Sequence, residues 1–243
     1  MAHPYLSVII PAYNAASSLP ATLIEADQFL ASEEYSSELL VVNDGSTDGT
    51  AELLEKMTPH LTNAAYIHQT MHQGLGKTLQ FGMLAAKGTW RLVISADTAI
   101  PLTEFRSFAP HLSSHACDIV VGERTTQRLT ISAARTHDHI INICARILFR
   151  NIPLYDRHSG FICISQEAVP KIFEHISSKT LAAHDEMLSV AAQAGCRIRG
   201  TRTAYAPMRH AVNPQGTLLQ TLWELATIRW RAREHARSPE AQT

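Results

Sequence analysis

The chain has 243 residues, 45% hydrophobic and 18% charged, the make-up of a folded soluble protein rather than a disordered one. Its 21 basic and 22 acidic residues leave a formal charge of −1, so net charge gives no case for nucleic-acid binding. Cys117, Cys144, Cys163 and Cys196 form no C-x-x-C pair and read as reduced thiols, and no apolar run approaches the roughly 18 to 20 residues of a membrane span. The first strand-like run begins without a preceding signal peptide, so the expected location is cytoplasmic, with peripheral contact at the cytoplasmic membrane face left open.

Tyr5–Ile10 reads as a buried strand that Pro11 ends. A helix follows over Ser17–Leu30, with Ser18 as a candidate cap and Leu19, Leu23, Ala26 and Leu30 on one face. Leu39–Val42 is the second strand, Asn43 to Ser46 a turn, and Asp48–Met57 a helix. Ala64–His68 is a weaker strand, Leu75–Ala86 a helix, Trp90–Ser95 a strand and Asp118–Val121 another. Strands separated by helical stretches of this length imply βαβ units and an α/β fold with a mostly parallel sheet flanked by helices. Ligands of such sheets bind beyond the carboxyl ends of the strands, where Tyr13, Asn14, Asp44, Asp97, Glu123 and Arg124 would gather.

Beyond residue 125 the pattern changes. Ile131–Arg150 is a long amphipathic stretch, Ser159–Ile164 a strand, and Ala182–Ala194 a helix ended by Gly195. Thr217–His235 is a last helix, with Leu218, Leu222, Leu225 and Ile228 on one side and an arginine-rich tail. The chain therefore reads as one domain, with a ligand-binding half over about 1–122 and a second half over about 123–236. The apolar side of the last helix and its basic end would suit either packing on the domain or an anionic membrane surface.

Asp44, just past a buried strand, can accept hydrogen bonds from a base or ribose, or simply close a capped turn in which Ser46 and Thr47 cap the next helix. Asp97 ends another buried strand and could hold Mg²⁺ or Mn²⁺, which commonly take one or two protein carboxylates and complete their shell with phosphate and water. His72 to Gly82 places glycines at the opening of a helix, either an anion-facing turn or an ordinary helix entry. It lacks P-loop spacing. Arg124, Arg135, Arg146 and Arg209 carry forks suited to phosphate. The 13 histidines form no H-E-x-x-H motif, and His184 beside Asp185 is the pair kept open.

Taken in order, SVIIPAYN, VVNDGSTDGT, HQGLGKTLQFGMLAAKG, the SAD triplet, GER, R-x-x-x-H-x-x-N-x-x-x-R and DRHSGF resemble family 2 glycosyltransferases. Within them the likeness is to the dolichyl- or polyprenyl-phosphate sugar synthases, from about Leu6 to Ile228. The resemblance implies a GT-A fold, a nucleotide-sugar donor such as GDP-mannose or UDP-glucose, and a lipid-phosphate acceptor. It places Pro11, Tyr13 and Val42 beside the nucleobase and Asp44 on the base itself. It sets Ser95, Ala96 and Asp97 on the family's D-x-D, with Asp97 on the metal. Arg124, Arg135, His139 and Arg209 fall around the donor and acceptor phosphates, and Asp185 in the late acidic motif with a catalytic role. The chain departs from the pattern at Ser95, Ala15, Ala99, His139 and Gln215. Ser95 leaves the metal site one charged ligand short.

Overall fold

The computed structural model describes residues 3–97, 100–114, 116–124, 133–150, 152, 154–174, 176–204 and 217–235, excluding the side chains of 133–139 and 233–235. Seven strands form one sheet: β1 (Leu6–Ala12), β2 (Ser37–Asp44), β3 (Ala64–Gln69), β4 (Trp90–Val93), β5 (Ile119–Arg124), β6 (Ile162–Ser165) and β7 (Ile198–Thr203). Their order is β3-β2-β1-β4-β6-β5-β7. All pairings are parallel except the two made by β6, which runs against both β4 and β5.

Helices cover both faces: α1 (Leu19–Ser32), α2 (Thr50–Met57), α3 (Leu75–Ala85), α4 (Ala109–Ser113), α5 (Ala133–Leu148), α6 (Val169–Phe173), α7 (Ala182–Gln193) and α8 (Leu218–His235). The strand's period of two divides β1 between two cores. Ile9 faces α3 and the later helices, while Val8 and Ile10 face α1 and the turn of 3-10 helix at Leu102–Phe108.

The structure changes one expectation, adds a strand and decides between two alternatives. β1 runs through Pro11 to Ala12 rather than stopping at the proline. Its pairing with β4 ends at Ile9, so Pro11 borders β2 alone on that stretch, and a missing N–H is tolerated on such an edge. β7 is a strand that periodicity did not single out. Finally, Leu225 and Ile228 of α8 are buried in the core, and Leu218 and Leu222 pack against it, so the apolar side named above is not a free surface. No described helix is long and apolar enough to cross a membrane.

Candidate active site

The topology itself assembles the site. β1, β2, β4 and β5 all end on one edge. Antiparallel β6 begins there, because Ile162 pairs with both Val93 and Val121. The loop entering β6 is thereby delivered beside the residues that follow β4. An ideal Cβ built on Gly160 would lie 3.5 Å from the Ser95 Cβ.

At the β1–β2 end, the loops are stitched to each other. The Asn14 amide donates to Ser46 Oγ (2.9 Å), and the Thr47 amide to Asn14 Oδ1 (2.8 Å). Ser46 and Thr47 therefore hold the neighbouring loop rather than capping α2, whose N-cap residue is Gly49. Asp44 is buried, and its oxygens accept from the amides of Gln73 (2.7 Å) and Gly74 (2.9 Å). His72 Nδ1 lies 2.9 Å from Asp44 Oδ2, and the same imidazole stacks on the Tyr13 ring with centroids 3.9 Å apart. In this state the Asp44 carboxylate serves the 72–74 loop. Its placement at the start of α3 also suits the helix dipole.

The anion-facing reading of the glycines before α3 is overturned. The amides of Leu75 and Gly76 donate to Lys179 O (2.9 Å) and Ser178 O (3.2 Å), so four successive amides from Gln73 to Gly76 are already used. A Cβ on Gly76 would sit 2.2 Å from Ser178 O, which explains the glycine by close backbone approach. The Val42 side chain is fully buried against α3, because strand alternation turns it into the core.

After β4, Ser95 and Ala96 are partly exposed and Asp97 is buried. Thr22 Oγ1 in α1 donates to the Ala96 carbonyl at 2.8 Å, which anchors this turn.

The second half of the edge is a charged cluster. Arg124, at the end of β5, grips Asp156 with both Nε and Nη2, the latter at 2.9 Å. Burial pushes the Asp156 carboxyl up, but the hydrogen bond and charge of Arg124, with His158 nearby, more than reverse this and leave it below the usual carboxylate range. Asp185, in the first turn of α7, is fully buried. His158 Nε2 lies 2.5 Å from its Oδ2, and Arg157 Nη1 lies 3.4 Å from its Oδ1. Arg157 is itself buried, donating from Nη2 to the carbonyls of Phe149 (2.7 Å) and Ile152 (2.8 Å).

His158 Nδ1 is buried without a hydrogen-bond partner among the described residues. His184 is buried 6.2 Å from the His158 ring. Desolvation first, and the His158 charge second, push its pKa down to about 4, so it is neutral at ordinary pH.

Asp185 therefore lies behind Arg157 and His158 rather than on an open surface. Asp156, Arg157 and His158 were visible in sequence only as part of DRHSGF, and His72 only as the start of a glycine-rich segment. Arg135 and His139 fall on α5 with side chains outside the described residues, and Arg209, Ala99 and Gln215 lie outside them altogether.

A mostly parallel seven-stranded sheet with polar groups gathered past its carboxyl edge is the GT-A class of α/β fold. The glucosyl-3-phosphoglycerate synthase of Mycobacterium tuberculosis, solved with Mn²⁺, UDP-glucose and phosphoglyceric acid, superposes with a TM-score of 0.71 at 16% identity. The match covers 93% of this chain and 80% of that one. The mannosyl-3-phosphoglycerate synthase of Rubrobacter xylanophilus gives 0.71 at 16% identity, over 97% and 76%. At such identities these likenesses establish the fold alone. The family model described as "Glycosyl transferase family 2" matches residues 7–173, and the chain belongs to that family. A dolichyl-phosphate beta-glucosyltransferase of Trichomonas vaginalis is 27% identical over 204 residues, 80% of this chain and 63% of that protein. The counterpart in Dictyostelium discoideum is 26% identical over 253 residues, 93% and 74%. The chain thus spans about three fifths of the first of these relatives.

Proposed function

We propose that the chain is an inverting glycosyltransferase that moves a hexose from a nucleotide-sugar, UDP-glucose or GDP-mannose, to polyprenyl phosphate. The observation carrying this reading is the convergence at one sheet edge of Tyr13 and Asp44, Asp97, and the Arg124–Asp156 and His158–Asp185 pairs. Family membership and the names of the dolichyl-phosphate relatives support it. Residues about 1–122 would then hold the donor and about 123–236 the acceptor.

Among the described residues no three His, Cys, Asp or Glu side chains cluster as a metal site. Asp97 supplies one carboxylate, a donor set that fits Mg²⁺ or Mn²⁺ if substrate phosphate and water complete the shell. Such an ion, when bound, would neutralise charge on the departing nucleoside diphosphate. Pro11 and Tyr13 would line the base, and Asp44 would brace the His72 loop beside it. Arg124, with Arg135, His139 and Arg209, would meet the donor and acceptor phosphates. A lipid phosphate is already an anionic nucleophile and needs no general base. Asp185 would then act through His158, fixing the imidazole's orientation and the nitrogen that carries its proton.

A second reading, transfer to a small phosphorylated acceptor, is favoured by the neighbour solved with phosphoglyceric acid. Turnover of each donor with Mg²⁺ or Mn²⁺ is measured with polyprenyl phosphate and with phosphoglycerate. The expected result is turnover with the lipid phosphate that falls about a hundredfold or more in Asp97→Ala, as when one charge-stabilising group is removed. Turnover only with phosphoglycerate selects the second reading. Nucleotide binding without turnover makes the chain a non-catalytic relative.

A further inference from the structure

A pocket of about 270 Å³ opens at the carboxyl end of α5, lined by Arg146, Arg150, Ile152, Leu154, Tyr155 and Arg157. Three of these six are arginines, and among the described residues no acidic side chain lines the pocket. Arg157 is fully buried at its floor. It shares the Asp185 carboxylate with His158, and its Nε has no hydrogen-bond partner among the described residues. Arg146 lies 5.2 Å over the Tyr155 ring, which holds a second guanidinium at the rim. Burial and the proximity of Arg146 both lower the Arg157 pKa, so the two cations repel across a space that an anion would fill.

The surroundings identify what kind of anion. On α5, Ile143 and Ile147 form a row four residues apart beside Arg146, since positions three and four apart are neighbours on a helix, and Arg150 follows in the turn just past the helix end. These isoleucines are 43% and 65% exposed, and Tyr155 at the rim is 73% exposed. A guanidinium-lined pocket bordered by exposed aliphatic side chains matches a phosphate attached to an acyl or prenyl chain better than a free ion. The neighbouring α8, which packs on α5, exposes Leu219, Trp223 and Trp230 along one stripe. Tryptophan favours the boundary between headgroups and acyl chains.

We propose that this pocket is a lipid-phosphate headgroup site that seats the chain on an anionic membrane surface, with Ile143 and Ile147 entering the interface. None of the pocket's residues belongs to the donor, metal or acceptor set proposed above except through Arg157, which backs Asp185. The proposal concerns binding and is read without turnover, so it stands or falls apart from the transfer reaction.

The test is flotation of the full chain with phosphatidylcholine vesicles, with and without phosphatidic acid. Association only with the phosphatidic acid vesicles is expected, weakened about tenfold or more in Arg146→Ala/Arg150→Ala, at the usual surface worth of two arginines. The exposed pair Arg199→Ala/Arg202→Ala removes the same charge elsewhere and should bind like the unaltered chain. Ile143→Ser/Ile147→Ser should weaken binding at unchanged charge. Far-ultraviolet circular dichroism and the urea midpoint report whether each variant is folded. Equal loss in both arginine pairs, or no vesicle association at all, overturns the proposal. So does displacement by millimolar inorganic phosphate with the isoleucine variant unaffected, which would make the pocket a site for free phosphate.

Discussion

Both ends of the sheet edge hold a fully enclosed carboxylate, by different means. Asp44 is satisfied mainly by peptide amides from the 72–74 loop, donors whose position follows from the backbone, with one partly exposed imidazole added. Among the described residues Asp185 is held by side chains alone, a buried arginine and a buried histidine that come from a loop 27 residues or more away in sequence. Backbone donors are deleted only by proline and remain aligned when a side chain is lost. The side-chain cluster holds charged groups in a dry setting, so each member depends on every other.

The largest break in this contrast comes from removing one charge from the cluster. Arg157→Met leaves Asp185 short of a cation, and Asp185→Leu leaves Arg157 uncompensated. Either should cost about 3–5 kcal/mol, the usual penalty for stranding one member of a buried pair. Urea unfolding midpoints check this. A cost below about 1 kcal/mol would mean that water reaches the cluster. Asp185→Asn keeps the shape, so its loss of turnover should exceed its loss of stability.

Asp44→Ala should cost less, about 2–4 kcal/mol, since it abandons two buried amides without stranding a charge. Asp44→Asn keeps one acceptor oxygen and should recover about half of that. If Asp44 served the donor alone, the alanine variant would keep its unfolding midpoint and lose only nucleotide binding, measured by calorimetry.

The third difference is in pH response. His184, within the charged cluster, has its folded pKa depressed to about 4 from an ordinary value of 6.5. Above pH 6.5 both folded and unfolded states leave it neutral. Between 6.5 and about 4 the unfolded chain binds the proton first, so stability falls as pH falls through that window. From pH 7.5 to 5 this amounts to about 2 kcal/mol, at 1.36 kcal/mol per unit below 6.5. His184→Gln should flatten the dependence of the urea midpoint on pH over that range.

The same contrast explains what could be read from sequence. β1 to β5 and the helices α1, α2 and α3 follow from local period, and the turn at Asn43-Asp44-Gly45 from turn chemistry, so the donor-side edge was legible, whereas the helical turns from Leu102 to Ser113 were not singled out. The use of Asp44 was open between a base contact and a closed turn. Only the three-dimensional approach of residues 72–74 shows that its oxygens are already engaged. β7 reads IRGTRT, with arginines and a glycine interrupting the alternation, and becomes a strand because β5 offers it a parallel partner. Asp156, Arg157 and His158 reach the site only through the antiparallel register of β6, which no local pattern encodes. For α8, two apolar stripes were present in sequence, and only packing decides that Leu225 turns inward while Trp223 stays exposed.

The smallest effect tests the stitching on the backbone-held side. Asn14 sits at φ +50°, a conformation that glycine and asparagine adopt more readily than alanine, and its Oδ1 accepts from the Thr47 amide. Asn14→Gly removes the side-chain acceptor but keeps the backbone at ease, so it should lower stability by about 0.5–1.5 kcal/mol, the worth of one hydrogen bond. Asn14→Ala loses the same bond and adds the left-handed strain of about 1 kcal/mol, so it should be the worse of the two. Thermal midpoints of the pair measure the strain by difference. Equal midpoints would mean that this loop relaxes when Asn14 is cut, and that its shape is imposed by the Ser46 and Thr47 side rather than by Asn14.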